Sequence, residues 1–334
     1  MDRRLRLSGI LLVAIITLMT GCSAKKDQQE TGIKGGPDAV QASSDLEGNS
    51  INTVGSTPTA SAEKRESHPV AGSFGASTVT VDTGFSARDH ETEYDDSTAT
   101  HITLEGMDIK IKGEGAKASD GILTIQTEGT YVITGALTEG RLIVDAGDED
   151  KIHIVLQGVS IDCSDNAPIY IKKADKVFLT LSKNTENTLT DGKEYKLADG
   201  DKMDGVIFSR ADLTLNGEGS LRITGNYKHG VVSKDDLVFT GGNYQITAIK
   251  DAINGKDCVK IWDGNFLLHS MTGKGIESKN DEDNTKGYVY ICGGSIKVTG
   301  CKEGIDSRVI AIAGGVLDIT TVEEIAGSTD SANE

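Results

Sequence analysis

The fold of this chain is constrained most strongly by a short motif that recurs at nearly constant spacing in its second half. The motif is a Gly or Ala followed by an aliphatic residue, and its copies are Gly205-Val206, Gly230-Val231, Ala252-Ile253, Gly275-Ile276 and Gly304-Ile305. Successive copies are 25, 22, 23 and 29 residues apart, and the longest step contains the polar insertion 280–287. A period of about 22 residues is typical of a solenoid, in which each repeat packs only on its neighbours.

Each repeat contains short segments in which apolar and polar residues alternate, as in residues 177–181. Alternation with a period of two predicts β-strands, and no segment after residue 101 shows a helical period of useful length. Two apolar columns continue through the repeats: Leu237, Val259, Val289 and Ile310, and Phe239, Ile261, Ile291 and Ile312. Pairs such as Gly241-Gly242 and Gly293-Gly294 follow these columns and suit tight corners, because glycine readily adopts positive φ angles.

These features predict an all-β fold, a parallel β-helix whose coils stack about 4.8 Å apart around one continuous core. A leucine-rich repeat has a similar period, but it requires a Leu/Asn consensus that this chain lacks. The spacing is less regular in residues 101–145, where a β-sandwich remains an alternative.

Four further motifs precede the regular repeats: GTYVITG at 129–135, GRLIVD at 140–145, IVLQGVSI at 154–161 and TLTDG at 188–192. Together with the repeats, they resemble the carbohydrate-binding domain family typified by a clostridial cell-surface polysaccharide-binding protein, over residues 102–320. The resemblance implies a right-handed parallel β-helix similar to pectate lyases, with bound calcium ions. It also implies binding of cellulose or acidic plant polysaccharides without established catalysis.

The N-terminus has the pattern of an export signal. Residues 1–21 combine a basic start with an apolar core at 11–18, which is short for a membrane span. The sequence Met19-Thr20-Gly21-Cys22 resembles the box of bacterial lipoproteins, in which the cysteine is lipidated. We therefore predict a lipoprotein signal peptide, lipidation at Cys22 and an extracytoplasmic protein anchored to the bacterial cell membrane; an ordinary signal peptide is the alternative.

The remaining chain divides by composition. Residues 22–100 are rich in Ser, Thr, Gly and acidic residues and are predicted to be a disordered tether. The β-helix is predicted over residues 101–321, followed by an acidic tail at 322–334 that either caps the helix or marks a place where relatives continue. A net charge of −17 argues against nucleic acid as a partner, and the lack of a P-loop argues against nucleotide.

The cysteines after Cys22 are too few and too dispersed for a disulfide framework. They are Cys163, Cys258, Cys292 and Cys301, and none of them forms a C-x-x-C motif. A zinc site is therefore not expected. A disulfide between Cys292 and Cys301 is left open.

Polar residues beside the repeated motif form further columns, which we call the acid ladder: Asp251, Asn254, Glu277, Glu303 and Asp306. Side chains on neighbouring coils lie about 5 Å apart, so carboxylates in such columns repel one another unless a cation lies between them. Calcium prefers about six to eight oxygen ligands, and the ladder is therefore a predicted Ca²⁺ site. The alternative is a solvated corner in which Lys274 is the counter-ion.

The polar insertion contains a second predicted set of calcium ligands. Asp281 and Asp283 lie with Glu282 and Asn284 on one loop. The loop lacks the Asp/Asn alternation and the final Glu of an EF-hand. Solvation without an ion is the alternative interpretation.

Trp262 is the single tryptophan of the chain, and the repeat places it in an outward column. An outward indole can stack on a sugar ring. Lys260 and Tyr290 share the adjacent outward column, so the three residues form a predicted carbohydrate-binding face. The alternative is that Trp262 covers a neighbouring coil.

The predicted function is non-catalytic, calcium-assisted binding of cell-wall polysaccharide at the bacterial cell surface, with cellulose or acidic pectin-type glycans as ligands. The chain contains no nucleophile elbow, zinc motif or P-loop. No basic residue near the acid ladder belongs to a motif of lyase catalysis. A calcium-dependent pectate-type lyase and an inert surface spacer or adhesin remain alternatives.

Overall fold

The computed structural model describes residues 70–74, 77–198 and 200–322. The predicted signal peptide, Cys22, most of the predicted tether and the tail from residue 323 lie outside the described residues. No helix within the described ranges is long and apolar enough to cross a membrane.

The regular secondary structure of the described residues consists of strands, apart from one 3-10 helix at Ala87–His90. In chain order the strands are β1 (Val70–Phe74), β2 (Ser77–Val81), β3 (Thr100–Gly106), β4 (Asp108–Lys112), β5 (Ala116–Ser119), β6 (Ile122–Ile125), β7 (Gly129–Leu137), β8 (Arg141–Asp145), β9 (Lys151–Cys163), β10 (Ile169–Lys173), β11 (Lys176–Leu181), β12 (Glu186–Asp191), β13 (Gly205–Ser209), β14 (Asp212–Gly217), β15 (Ser220–Gly225), β16 (His229–Ser233), β17 (Asp236–Phe239), β18 (Asn243–Ala248), β19 (Ile253–Gly255), β20 (Cys258–Ile261), β21 (Asn265–Ser270), β22 (Lys274–Ser278), β23 (Tyr288–Ile291), β24 (Ser295–Cys301), β25 (Glu303–Ser307), β26 (Val309–Ile312) and β27 (Val316–Thr321).

From β8 onwards each coil contributes a strand to each of three faces. Face 1 contains β8, β10, β13, β16, β19, β22 and β25; face 2 contains the first part of β9 with β11, β14, β17, β20, β23 and β26; face 3 contains the last part of β9 with β12, β15, β18, β21, β24 and β27. Strands that are neighbours on a face are parallel. The predicted all-β, parallel β-helix architecture is therefore confirmed.

The first coils differ from the others because they contain antiparallel pairs. β3 lies parallel to β7 but antiparallel to β4, and β5 lies antiparallel to β6. β6 then pairs with β8 in parallel, so the segment joins the solenoid directly. The irregular spacing in residues 101–145 reflects these hairpins and not a separate β-sandwich.

The inward columns form the core as predicted. Val259 pairs with Leu237 and Val289, and Ile291 pairs with Ile261 and Ile312. Ile291 is 0% exposed. Gly294 at the next corner has φ of +85°, and a Cβ there would lie 2.6 Å from Gly264 O, so these corners require glycine.

One predicted register is wrong by a single residue. Val231 on β16 pairs with Ile207 on β13, a separation of 24 residues (231 − 207), whereas the repeat aligned it with Val206. Val206 and Ile207 are adjacent aliphatic residues and both are buried, so the sequence alone did not distinguish them.

Residues 82–99, which we call the strap, lie across the outer side of face 2. Val81, just before the strap, packs with Cys258, Tyr288 and Tyr290, and Tyr94 contacts His153 on β9 at a ring distance of 6.2 Å. The predicted tether extended to residue 100, but the polar residues of the strap are held by side chains of face 2. The tether boundary drawn from composition therefore lies too far along the chain.

The four described cysteines are free thiols. The disulfide between Cys292 and Cys301 that the sequence left open is not formed. Cys301 on β24 is fully buried in the core of the solenoid. Cys292 packs against a separate apolar cluster beside face 2, so the two side chains do not face each other.

Candidate functional site

The acid ladder lies on the outer side of face 1, where the register of the coils stacks its members. Asn254 pairs with Glu277, and Glu277 pairs with Asp306. The Asn254 amide donates hydrogen bonds to Asp251 Oδ2 at 3.0 Å and to Glu277 Oε2 at 2.7 Å. Glu303 lies at the start of β25 opposite Lys274. The structure thus brings the predicted residues together.

Basic side chains lie between the ladder carboxylates. Lys274 Nζ contacts Glu277 and lies 3.1 Å from Asp306 Oδ2, and Lys279 Nζ lies 2.5 Å from that same oxygen. Burial would lower the pKa of Lys274, but Glu277 and Asp306 raise it above the usual value. A calcium ion would have to displace both ammonium groups, so this donor set does not fit the ion well.

The loop acids do not join the ladder. Asp283 Oδ1 accepts hydrogen bonds from the Thr285 backbone at 2.8 Å and the Thr285 hydroxyl at 2.6 Å, and thereby closes a turn. Asp281 is exposed. Their role as calcium ligands stays a prediction.

A cleft of about 530 Å³ opens beside the ladder on face 1. His229 lies in it, with Nδ1 3.0 Å from Asp251 Oδ2 and Nε2 3.9 Å from Asp204 Oδ2. Burial would raise the pKa of Asp251, but its contact with His229 lowers that pKa well below the usual value. Asp204 Oδ1 is buried and has no hydrogen-bond donor within the described ranges; Lys234 Nζ is 3.8 Å away.

The charge of this cleft differs from that of the chain. It is lined by four lysines, including Lys250 and Lys302 on exposed positions, and by three carboxylates, whereas the whole chain has a net charge of −17. Asn254 and Thr272 add neutral polar groups. Such a lining offers donors for a carboxylate ligand and both donors and acceptors for hydroxyl groups.

The predicted carbohydrate-binding face of Trp262, Lys260 and Tyr290 lies under the strap. Phe85 approaches Trp262 edge to face at a ring distance of 5.4 Å and lies 6.1 Å from the Tyr290 ring. Lys260 is 5% exposed, and its Nζ donates to Asp82 Oδ2 at 2.9 Å. The three residues are neighbours as predicted, but the sequence did not predict the segment that covers them.

A second acidic site, which sequence reasoning missed, lies at the corner between faces 1 and 2. Asp212, Asp235 and Asp236 have carboxylate oxygens within 4.8 Å of one another; we call these three the acid corner. Asp257 and Asp82 line the same cavity of about 490 Å³. The signal in the sequence was the Asp235-Asp236 pair, one coil after Asp212.

Within the described residues no ammonium group forms an ion pair with the three carboxylates of the acid corner, and Lys286, which lines the same cavity, contacts Asp257 instead. Burial, a hydrogen bond with Asp257 and nearby carboxylates together raise the pKa of Asp235 to about 6. Burial and Asp236 also raise the pKa of Asp212. Burial and mutual repulsion both disfavour the charged forms of these carboxylates, and a divalent cation bound between them offsets both effects. The corner therefore fits a calcium ion better than the ladder does.

Another group of three candidate ligands contains Glu139, Cys163 and Asp165. Lys196 Nζ lies 2.9 Å from Asp165 Oδ2, and burial raises the pKa of the Cys163 thiol. A protonated thiol beside an ion pair is a poor metal site.

The chain matches the family described as carbohydrate-binding domain-containing protein over residues 119–334, and it belongs to that family. A member from Acetivibrio thermocellus is 37% identical over 196 residues, which are 58% of this chain and 68% of the relative. Among solved structures, the chain is similar to a polysaccharide lyase-like protein from C. thermocellum, studied as a gadolinium derivative. That similarity has a TM-score of 0.57 and 31% identity, and it covers 66% of this chain and 97% of the solved one.

Proposed function

We propose that this protein binds cell-wall polysaccharide non-catalytically at the bacterial cell surface, with acidic pectin-type glycans preferred over cellulose, and that calcium assists the binding. Membership of a carbohydrate-binding family supports a polysaccharide as the partner. The observation that carries the preference is the cleft on face 1, where lysines surround polar groups on a strongly acidic protein.

The chemistry of the cleft suits a uronate chain. Lys250 and Lys302 supply positive charge at its rim, and Asn254 and Asp204 supply polar atoms within it. The buried Asp204 Oδ1 is an acceptor that a sugar hydroxyl can satisfy, because a buried polar atom without a partner is costly. A neutral glucan would use the hydroxyl contacts but not the lysines.

Reversing the two rim charges is expected to weaken binding of tetragalacturonate. The double variant Lys250→Glu/Lys302→Glu should lose roughly tenfold in affinity or more, because each charged hydrogen bond contributes about 1.5–3 kcal/mol. Isothermal titration calorimetry at low and moderate salt measures the loss. Cellotetraose binding should change little.

The matched control is Lys112→Glu/Lys117→Glu, which reverses the same number of exposed charges on β4 and β5 at the other end of the solenoid. Equal losses in both double variants would mean that overall charge, and not the cleft, controls binding. No binding of either oligosaccharide by the wild-type protein would favour the spacer or adhesin.

Calcium is proposed to bind at the acid corner, with Asp212, Asp235 and Asp236 as ligands. Calcium supplies positive charge that offsets the repulsion among these carboxylates. An ion that binds only the folded protein at 100 times its Kd stabilises it by about 2.7 kcal/mol. The melting temperature should therefore rise with calcium, and Asp235→Asn/Asp236→Asn should abolish that rise.

Two further double variants distinguish the corner from the sites predicted by sequence. Glu277→Gln/Asp306→Asn alters the ladder and Asp281→Asn/Asp283→Asn alters the loop. Both should retain the calcium-dependent rise in melting temperature. If either variant loses the calcium-dependent rise in melting temperature while the corner variant keeps it, the calcium site lies at the ladder or at the loop and not at the acid corner.

A polysaccharide lyase is the second candidate function. It is favoured by the likeness to a lyase-like protein and by His229, whose contact with Asp251 holds an imidazole ring in the cleft. An eliminative lyase produces an unsaturated uronate, which absorbs ultraviolet light. A steady increase in that absorbance with polygalacturonate, lost in His229→Ala, would replace the non-catalytic proposal.

A further inference from the structure

The strap is attached to face 2 by side chains that donate hydrogen bonds to it. Thr214 Oγ1 donates to Asp89 Oδ1 at 2.6 Å, and Lys176 Nζ lies 2.8 Å from the same oxygen. The Asn216 amide donates to the carbonyl oxygens of Asp89 and Glu91 at 3.1 and 3.0 Å. In each of these bonds the solenoid donates and the strap accepts.

The solenoid is also the hydrogen-bond donor in three further bonds to the strap. Lys260 Nζ donates to Asp82 Oδ2 at 2.9 Å and to the Gly84 carbonyl oxygen at 2.7 Å. Thr240 Oγ1 donates to the Asp89 carbonyl oxygen at 2.5 Å. Face 2 thus presents a groove of donors, with one lysine for each of two strap carboxylates.

A buried network orients the donors of this groove. Thr180 Oγ1 donates to Asn216 Oδ1 at 2.6 Å, which turns the Asn216 NH₂ group towards the strap. Because the Thr180 hydrogen is used there, the contact of His153 Nε2 with Thr180 Oγ1 at 2.8 Å makes Nε2 the donor. Burial lowers the pKa of His153, which favours the neutral imidazole that this arrangement contains.

Aromatic rings complete the groove. Phe85 and His90 of the strap contact Trp262 edge to face, at ring distances of 5.4 and 5.1 Å. Arg88 lies over the Phe178 ring at 5.0 Å. Lysines that hold carboxylates, amides that hold oxygens and a tryptophan face are the groups that bind an extended, oxygen-rich, anionic sugar chain.

We propose that the groove under the strap is a second glycan-binding site, and that the strap is an intramolecular competitor that occupies it with Asp82 and Asp89 in place of uronate carboxylates. The inference rests on the proposed function, because it assumes an acidic polysaccharide as ligand. The strap can be displaced because these contacts are side-chain hydrogen bonds and ring contacts, whereas neighbouring coils are joined by backbone ladders.

The test uses the full chain with the variant Asp82→Asn/Phe85→Ser/Asp89→Asn, which removes both charges and one aromatic contact of the strap. Trp262 is the chain's single tryptophan, so its emission reports the strap directly. We expect a red shift of the tryptophan emission and stronger quenching by acrylamide in this variant.

We also expect this variant to bind tetragalacturonate at least tenfold more tightly than the wild-type protein does. Lys176→Met/Lys260→Met in the same background should remove that gain.

The control variant Glu93→Gln/Asp95→Asn removes two exposed strap charges and should change neither emission nor affinity. A red-shifted tryptophan emission in the triple variant without tighter binding of tetragalacturonate would overturn the proposal. Unchanged emission in the triple variant would also overturn it, because such a strap is not exchangeable with a ligand. If the Lys250→Glu/Lys302→Glu loss is observed while the strap variants do not tighten binding, the proposed function survives and only this inference fails.

Discussion

Ile291→Asp is expected to lower the free energy of unfolding by about 4 kcal/mol, because it places a carboxylate without a partner in the apolar core. Ile291 is 0% exposed and stacks between Ile261 and Ile312 on neighbouring coils. Burial of an isolated charge is costly, and the substitution also removes dispersion contacts with both coils. Urea denaturation followed by circular dichroism measures the difference.

The control for this prediction is Asp263→Asn at the following corner. Asp263 is exposed, and its Oδ1 accepts a hydrogen bond from the Gly264 backbone at 2.8 Å, a contact that an asparagine can reproduce. Its effect should remain within about 0.5 kcal/mol, as is usual for surface changes. Equal destabilisation by the two substitutions would contradict the inward register of β23.

The second large effect is expected at the N-terminus. Cys22→Ser should transfer the protein from the membrane fraction to the soluble fraction, because the proposed anchor is a lipid on Cys22 and the residues that follow are polar. Cell fractionation with labelled fatty acid measures both the location and the lipid. Ser23→Ala is the matched control, since it changes the next residue and leaves the cysteine intact.

Membrane fractionation of the Cys22→Ser protein, with no label on the wild type, would show that the chain is held by something other than a lipid. Cleavage of an ordinary signal peptide instead predicts that wild type and variant are both soluble. The three outcomes are distinct, so one experiment decides between the lipoprotein and the alternative.

Much of the solenoid could be predicted from the sequence, because its contacts repeat at one period. Residues such as Val259 and Val289 occupy equivalent positions in successive coils and pair with each other. The same logic placed Asn254, Glu277 and Asp306 in one column. The error at Val206 arose where two adjacent aliphatic residues made the period ambiguous by one position.

The chemistry of the columns was less predictable than their positions. The repeat gives the spacing of the ladder carboxylates, but it does not say which basic side chain reaches them. Lys279 follows β22 and contacts Asp306 on the next coil. Asp212 and Asp236 likewise became one site only when their coils stacked. Which groups a long, flexible side chain such as that of Lys279 contacts depends on the local three-dimensional geometry, and the sequence repeat does not contain that information.

The sequence by itself determined the coil period, the inward columns and the glycine corners, because each depends on residues within one repeat or on the same position in the next. The tertiary structure alone decided that the strap covers Trp262 and Lys260. The bond between Thr214 and Asp89 joins residues 125 positions apart, and the bond between Lys260 and Asp82 joins residues 178 apart. The strap has neither a repeat nor a continuous apolar pattern, so its contacts follow from a donor-rich surface that exists only after the coils have stacked.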